Sequence, residues 1–297
     1  MKILIVGSKG FIGSRMLQVL EKEYEVWGCD VFTDYNERNF LLVQVSNLDF
    51  NSIFIKHQFD ICINCSGAAS VPESLKNPAR DFELNVHNVF LLLEAIRSCS
   101  PQCKFINFSS AAVYGDTQKI PTNELQDLAP ISPYGFHKMY AEKLCQEYFK
   151  FFQVQTCSLR VFSAYGPGLK KQIFWDLFSR IKRTSKIELF GTGMEARDFI
   201  FIDDIVKATD FVIQKGSFNA SIYNLAGGKA WSIKQVSEIF LEAVKWKGRL
   251  TFTGAQRPGD PAFWEADISK IIELGFTPTI SLSEGIKRYA EWLSLLE

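Results

Sequence analysis

The chain has 297 residues, the length of about two ordinary domains. Its 33 Lys and Arg residues balance its 33 Asp and Glu residues, so no surplus of positive charge favours general nucleic-acid binding. Apolar residues make up 47% of the chain and charged residues 22%, which is typical of a folded protein. All apolar runs are far shorter than the roughly 20 residues that cross a bilayer. The run at residues 3–6 is also too short for a signal peptide, so we expect a soluble, cytoplasmic protein.

The cysteines also indicate a reducing compartment. There are seven, and an odd number without a secretion signal favours reduced thiols. Cys62 and Cys65 have a spacing found in metal and redox sites. The run at 61–65 is typical of a buried strand, however, on which residues three apart face opposite sides. The three histidines form no cluster either, so we predict no metal site.

The first half of the chain alternates two patterns. Short apolar runs predict buried strands at residues 3–6, 24–29, 42–45, 60–65, 104–108 and 156–162. Apolar residues three and four apart predict helices at residues 14–22, 51–56, 80–97 and 132–152. Ser132 is suited to cap the last of these helices, with Pro133 at its first position. Together the two patterns predict an α/β fold with a doubly wound parallel sheet.

The pattern changes after residues 165–168. Helices are predicted near 172–183, 203–214, 232–246 and 282–295, and short strands near 187–190, 199–202, 222–225 and 250–252. We therefore expect a dinucleotide-binding domain at 1–165 and a smaller α/β substrate-binding lobe at 166–297, with some lobe segments returning to the first domain. A ligand should lie at the carboxyl ends of the strands, beneath this lobe.

A glycine-rich turn follows the first predicted strand. Its glycines allow a tight turn and a close approach of the backbone to a pyrophosphate, which the amides of the following helix can bind. Asp30 ends the second strand, 23 residues after Gly7, where a carboxylate can accept both hydroxyls of a ribose. That carboxylate repels a 2′-phosphate and favours NAD, whereas Lys9 in the turn leaves NADP possible. The candidate cofactor residues of the turn are Gly7, Gly10, Phe11, Ile12 and Gly13.

Tyr134 and Lys138 lie four residues apart at the start of a predicted helix, so they share one face. A phenol has a pKa near 10, and lowering it to about 7 takes about 4 kcal/mol of differential stabilisation. The Lys138 ammonium and a cationic nicotinamide both favour the phenolate, which makes Tyr134 a candidate proton-transfer group. Ser110 follows the fifth strand, and its hydroxyl can bond the same sugar oxygen. Ser109 is the weaker candidate, because neighbours at a strand end point in opposite directions.

These stretches together resemble the extended short-chain dehydrogenase/reductase family, and within it the sugar-nucleotide 4-epimerases of the NAD-dependent epimerase/dehydratase family. The resemblance extends from residue 1 to about residue 293. The matching stretches are the Gly7/Gly10/Gly13 turn, Asp30, residues 84–86 (Leu-Asn-Val), 109–115 (Ser-Ser-Ala-Ala-Val-Tyr-Gly), 132–135 (Ser-Pro-Tyr-Gly) with Lys138, 196–200 (Ala-Arg-Asp-Phe-Ile) and 257–260 (Arg-Pro-Gly-Asp).

The resemblance implies a catalytic triad of Ser110, Tyr134 and Lys138. In this triad Tyr134 transfers the proton, and Lys138 also holds the nicotinamide ribose. The resemblance further implies that Asn85 supports the cofactor site.

On the substrate side, the resemblance implies that Arg197 and Arg257 bind a diphosphate and that Asp260 binds the nucleoside ribose. Guanidinium groups are suited to bidentate phosphate binding, although an ion pair with a neighbouring aspartate is the alternative for each arginine. Ser163 and Gln172 occupy two further substrate positions at which the family usually has asparagine. These two departures leave the identity of the sugar and of the nucleotide open.

Three functions are compatible with these residues. The first is an NAD-dependent sugar-nucleotide 4-epimerase, which oxidises C4 to a ketone and reduces it again from the other face. The second is an NAD(P)H-dependent reductase of 4-keto-6-deoxy-sugar nucleotides, which would use the same triad. The third is a non-catalytic dinucleotide sensor, which the presence of both Tyr134 and Lys138 disfavours. Asp30 and the Ser110-Ala111-Ala112 stretch favour the epimerase.

The resemblance also implies a role and an assembly. Enzymes of this kind commonly serve the synthesis of polysaccharide precursors. The helices predicted at 80–97 and 132–152 carry more apolar surface than one lobe needs, and in the family such helices pair across a twofold axis. We therefore expect a homodimer.

Overall fold

A parallel sheet is the central layer of the computed structural model, which describes residues 1–32, 38–44, 48–117, 119–255 and 261–296. Over these residues the strands are β1 (Lys2–Val6), β2 (Glu25–Asp30), β3 (Phe40–Leu42), β4 (Ile61–Asn64), β5 (Lys104–Ser110), β6 (Thr156–Val161), β7 (Ser163–Tyr165), β8 (Lys186–Leu189), β9 (Ala196–Phe201), β10 (Asn219–Leu225), β11 (Ala230–Ser232) and β12 (Arg249–Phe252). Seven of them pair in parallel in the order β10-β6-β5-β4-β1-β2-β3. The predicted doubly wound fold is confirmed.

Helices cover both faces of this sheet. Those of the described residues are α1 (Phe11–Leu20), α2 (Phe50–Lys56), α3 (Val71–Lys76), α4 (Pro78–Phe82), α5 (Asn88–Cys99), α6 (Pro133–Phe152), α7 (Gln172–Ile181), α8 (Ile202–Lys215), α9 (Ile233–Ala243), α10 (Ser269–Glu273) and α11 (Leu282–Ser294). Ile3 and Ile5 of β1 pack with side chains of α1 and α8. Leu4 and Val6 pack with α2, α5 and α6 on the opposite face. Burial on both faces explains why the strands are almost continuously apolar.

The helix predicted at 80–97 is wrong as a single element. The chain forms α4, then a π-helical turn over Glu83–His87, and then α5. A π-turn adds one residue within a continuous helical path, so apolar periodicity hardly registers it. Two boundaries also differ from the prediction. Helix α1 begins at Phe11 instead of residue 14, so Gly13 lies inside it, and the third strand is Phe40–Leu42 instead of 42–45.

Cys62 and Cys65 face different cores. Cys62, in β4, packs in the core beneath α2 and α5, whereas Cys65, just after the strand, packs against the opposite core. Burial raises the pKa of both thiols. All seven cysteines are free. The strand interpretation of this pair is thus confirmed.

The second half of the chain builds two small sheets and also returns to the large one. Strands β11, β9 and β7 form one small sheet, and β12 and β8 form the other. Strand β10 pairs with β6 at the edge of the seven-stranded sheet. Helix α8 packs on α1, where Arg15 Nε donates to Asp203 Oδ1 at 2.7 Å. In the described part of the chain, no helix is both long and apolar enough to cross a membrane.

Candidate active site

The glycine turn links β1 to α1 at the carboxyl edge of the sheet. Gly7 has φ +81°, a conformation that favours glycine. A Cβ on Gly13 would lie 2.1 Å from the carbonyl oxygen of Gly7, so the helix can approach the turn only with glycine there. Gly10 is the N-cap residue and has no side chain to accept the first helical amides. Phe11 and Ile12, partly buried, begin the helix whose free amides are suited to bind phosphate.

Asp30 lies beside this turn at the end of β2. Its Oδ2 accepts a hydrogen bond from the Lys9 amide at 2.8 Å. Its Oδ1 accepts the amides of Val31 at 2.7 Å and Phe32 at 3.3 Å. A carboxylate has about four acceptor positions, so these bonds orient Asp30 and leave capacity for a ribose hydroxyl. The Lys9 ammonium lies 5.1 Å from the centre of the Phe40 ring.

Asn85 lies in the π-turn and is 1% exposed. Neither its amide nitrogen nor its amide oxygen has a hydrogen-bond partner among the described residues. Its oxygen would be 2.5 Å from a Cβ placed on Gly67, which follows β4 at the same edge of the sheet. Buried amides without partners are costly and often belong to ligand sites. The glycine turn, Asp30 and this amide together fit a bound dinucleotide.

Ser109 and Ser110 end β5 and point to different partners. The Ser109 hydroxyl donates to Glu142 Oε1 at 2.5 Å. The Ser110 hydroxyl accepts the Ala112 amide at 3.2 Å, and it lies close enough to Tyr134 to lower the pKa of the phenol. Alternation along the strand therefore aims Ser110, and not Ser109, at the tyrosine.

The first turn of α6 carries Tyr134. Ser132 caps the helix by accepting the Gly135 amide at 3.2 Å, and Pro133 is its first residue. The amide of Tyr134 lies in the first turn, where the helix itself offers no acceptor, and it donates to Ser74 Oγ at 3.1 Å. Local sequence thus starts the helix where it must start for the tyrosine to face Ser110.

Lys138 follows one turn later and is 6% exposed. Its ammonium donates to the Phe108 carbonyl at 2.9 Å and lies 6.0 Å from the centre of the Tyr134 ring. One further turn along, Glu142 accepts Arg160 Nε at 2.9 Å and Nη2 at 2.7 Å. This buried bidentate pair joins α6 to β6 and fixes the helix relative to the sheet.

The two ionisable groups of the site are both affected by burial. Burial raises the pKa of Tyr134 to about 12, against the hydrogen bond from Ser110, which lowers it. Burial lowers the pKa of Lys138 to about 8, against the negative charge of Asp81, which raises it. We expected the pKa of Tyr134 to be lowered. In this chain alone it is raised, because the loss of hydration has a larger effect than the neighbouring groups that lower it.

The substrate-side residues occupy the second half of the chain. Ser163 begins β7 and pairs in register with Phe199 of β9. Gln172 begins α7, is exposed and has φ +66°. Arg197 lies in β9, with its guanidinium carbon 5.5 Å from the centre of the Trp264 ring. The two remaining predicted residues, Arg257 and Asp260, lie outside the described residues.

Asp198, the neighbour of Arg197, binds backbone amides. Its carboxylate accepts the amides of Gly227 at 2.8 Å, Gly228 at 3.1 Å and Ala266 at 3.2 Å. It thereby holds together three segments that are distant in sequence.

Sequence reasoning missed Asp81 and His137, which contact each other at 2.6 Å; His137 lies between Tyr134 and Lys138 on α6. His137 could have been noticed in the sequence, because it is an ionisable residue between Tyr134 and Lys138. Asp81 gives no such signal, since its contact spans 56 residues of sequence.

Known proteins resemble this chain over nearly its whole length. The model of the NAD dependent epimerase/dehydratase family matches residues 3–226. A UDP-glucuronate 4-epimerase of Thermodesulfobacterium geofontis is 30% identical, over 97% of this chain and 95% of its own length. A putative UDP-glucose 4-epimerase of Methanocaldococcus jannaschii is 26% identical over 98% of each chain.

Solved structures are similar as well. The UDP-glucuronic acid 4-epimerase of Bacillus cereus, crystallised with UDP-glucuronic acid and NAD, aligns with a TM-score of 0.91 and 28% identity over the full length of both chains. With the glycine turn, Asp30 and the Ser110, Tyr134 and Lys138 cluster at one edge of the sheet, this chain belongs to the NAD-dependent epimerase/dehydratase family.

Proposed function

We propose that this protein is an NAD-dependent sugar-nucleotide 4-epimerase. The observation that carries the proposal is that Ser110, Tyr134 and Lys138 come together at the end of β5, on the edge of the sheet that also carries the glycine turn. A tyrosine at this edge supports proton transfer next to a dinucleotide, because a parallel sheet binds such a ligand at the carboxyl ends of its strands. The Asp30 carboxylate supports NAD over NADP, because it would repel a 2′-phosphate.

UDP-sugars are the substrates that we propose to be tested first. The relatives that align over nearly the whole chain are named UDP-glucose and UDP-glucuronate 4-epimerases. On the substrate side we propose contacts from Ser163, Gln172, Arg197, Arg257 and Asp260. Arg197 projects from a strand, and a guanidinium there is suited to bidentate contact with a diphosphate.

In the proposed reaction, Tyr134 accepts the proton of the C4 hydroxyl and later returns it. Ser110 holds the same oxygen, so the hydroxyl stays aligned with the phenol. When bound, the nicotinamide supplies the positive charge that favours the phenolate and exchanges a hydride with C4. Lys138 binds the nicotinamide ribose and adds its own positive charge. Turning the 4-keto sugar within the cleft before its reduction produces the epimer.

The test is turnover without added cofactor. Purified protein is incubated with UDP-, dTDP-, GDP- and CDP-sugars, and proton NMR distinguishes the C4 epimers, which have equal mass. We expect epimerisation of at least one UDP-sugar by the wild type. In the matched Tyr134→Phe variant we expect a loss of about 10²- to 10⁴-fold. Consumption of NADPH with a 4-keto-6-deoxy sugar nucleotide, without any epimerisation, would identify a reductase and contradict the proposal.

We also propose a homodimer formed through α5 and α6. These helices expose large aromatic side chains, each 39–66% accessible: Phe90, Phe136, Tyr140, Phe151 and Phe152. Such a concentration of exposed apolar surface is typical of an interface between subunits. Sedimentation equilibrium at micromolar concentration should give twice the mass of 33.8 kDa, and a monomer would reject the dimer.

The proposed location is the cytoplasm, and the proposed role is the supply of sugar precursors for polysaccharides. The seven free thiols support the location, because cytosolic proteins keep their cysteines reduced. We further propose the division into a dinucleotide-binding domain and a substrate-binding lobe near residue 165. The return of β10 to the large sheet means that the lobe shares its framework with the first domain.

A further inference from the structure

A buried acid–histidine pair joins α4 to α6, the helix that carries Tyr134 and Lys138. Asp81 of α4 is 3% exposed and His137 of α6 is 8% exposed. His137 Nδ1 donates to Asp81 Oδ1 at 2.6 Å. Asp81 Oδ2 is buried and has no hydrogen-bond partner among the described residues. A carboxylate held in this way is an oriented negative charge in a region with little water.

The position of the pair couples it to the site. His137 follows Tyr134 by three residues and precedes Lys138 by one, so a shift of His137 along the helix moves both. Asp81 is the penultimate residue of the short helix α4, which leads into the π-turn of Asn85. The contact therefore joins the helix that carries the tyrosine and lysine to the segment that carries the candidate cofactor amide.

Lys138 needs a neighbouring anion to stay charged. Burial lowers its pKa to about 8, and the largest opposing influence is the charge of Asp81. Glu142 also raises the pKa of Lys138, but its charge is balanced by Arg160 at 2.7 Å. Burial raises the pKa of the Cys65 thiol, which keeps that group uncharged. Among the described residues Asp81 pairs with His137, which is charged only when protonated, whereas Glu142 pairs with an arginine; the charge of Asp81 is therefore less compensated than that of Glu142.

We propose that Asp81, held in place by His137, is a positioning residue that keeps Lys138 protonated and sets the pH range in which the site works. The consequence of Asp81 for catalysis rests on the proposed 4-epimerase function. The effect of Asp81 on the charge of Lys138 is independent of that function.

Other ionisable groups near the pair are exposed, and water and salt screen them. In α3, Glu73 and Lys76 pair with each other at 2.8 Å. The exposed groups of the neighbouring elements are Glu73, Lys76, Arg80, Glu83, His87 and Tyr140. Asp81 also raises the pKa of Tyr134, so neutralising Asp81 should lower the pKa of both catalytic groups.

The direct test is the titration of Lys138 by NMR in protein labelled with ¹³C-lysine, with the signal assigned from a Lys138→Met variant. In Asp81→Asn the charge is lost and the shape is kept, so Lys138 should titrate at lower pH than in the wild type. Glu83→Gln removes an exposed charge two residues away and should leave the titration unchanged. An unchanged titration in folded Asp81→Asn would overturn the proposal.

A second variant tests the charge of Asp81 by changing its hydrogen-bond partner His137. His137→Phe keeps a ring against Phe82, whose centre is 5.4 Å away, but cannot donate to Asp81. Loss of this donor removes the hydrogen bond that orients the Asp81 carboxylate, so its charge should stabilise the Lys138 ammonium less and Lys138 should again titrate at lower pH. This variant decides the matter if Asp81→Asn does not fold.

Kinetics then separate this proposal from the proposed function. In Asp81→Asn both limbs of the pH profile of kcat should move to lower pH, whereas a merely structural loss would lower kcat with unchanged limbs. Each whole pH unit of movement reduces the protonated Lys138 above its pKa about tenfold. If no sugar is epimerised but the NMR titration still moves, the proposed function fails and the role of Asp81 stands.

Discussion

Tyr134 is subject to opposing influences at the scale of single residues. Its hydroxyl is removed from water, which raises the pKa to about 12, and Asp81 raises it further. The hydrogen bond from Ser110 lowers it. In the proposed reaction the phenolate of Tyr134 must form, so removal of Ser110 and removal of Asp81 should change the pH dependence in opposite directions.

Ser110→Ala should therefore move the acidic limb of the kcat/KM pH profile to higher pH. A hydrogen bond to a charged oxygen contributes about 1.5–3 kcal/mol, so kcat at neutral pH should fall about 10- to 100-fold. Ser109→Ala is the matched control, since its hydroxyl binds Glu142 and should leave the limb in place. A limb that stays fixed in Ser110→Ala would show that this hydroxyl does not influence the phenol.

At the scale of elements, the proposed phosphate binding depends on the close contact between α1 and the glycine turn. In Gly13→Ala the added Cβ would lie 2.1 Å from the Gly7 carbonyl oxygen. A rotamer change cannot relieve this clash, because the oxygen belongs to the backbone. We expect a cost of about 1–3 kcal/mol in the free energy of unfolding and loss of NAD binding in calorimetry. Ser14→Ala, one residue further along the same helix, should retain both. Unchanged NAD affinity in Gly13→Ala would contradict the role of the turn.

The register of α6 against the sheet depends on the buried Glu142–Arg160 pair. Glu142→Gln leaves the buried guanidinium of Arg160 without a counter-charge, which should cost about 3–5 kcal/mol in the free energy of unfolding. Urea denaturation measures this cost. Glu147→Gln, at an exposed position of the same helix, should change stability by less than about 0.5 kcal/mol. Equal effects of the two substitutions would mean that the pair does not fix the helix.

At the scale of the whole molecule, Asp198 ties together β9, the segment after β10 and the segment at Ala266. Burial raises the pKa of its carboxyl from 3.8 to about 7. The folded state therefore retains a proton that the unfolded state loses between these values. The contribution of Asp198 to stability is full below about pH 4 and falls as the pH rises to about 7.

The free energy of unfolding of the wild type minus that of Asp198→Asn should accordingly be more positive at pH 5 than at pH 8. Urea denaturation of both proteins at both pH values measures it, and the comparison cancels the contribution of other carboxylates. A difference that is larger at pH 8 would indicate that the amides of Gly227 and Gly228 outweigh burial and keep Asp198 charged.

Much of the fold could be predicted because its signals are local. Strand and helix patterns, the spacing of Gly7, Gly10 and Gly13, and the start of α6 at Ser132 each involve only a few consecutive residues. The π-turn at Glu83–His87 could not be predicted, because it changes helical periodicity over only one turn. Short elements such as β7 and β11, at three residues each, were missed because too few residues show a pattern.

The sequence by itself determined the doubly wound sheet, the glycine turn with Asp30, and the face shared by Tyr134 and Lys138, since backbone periodicity relates close neighbours directly. Only the tertiary structure decided which distant groups share a buried space. Asp81 meets His137 across 56 residues, and β10 returns to pair with β6. Such contacts determine the pKa values of the site, because the free energy of a buried charge depends on neighbours that the order of strands brings together.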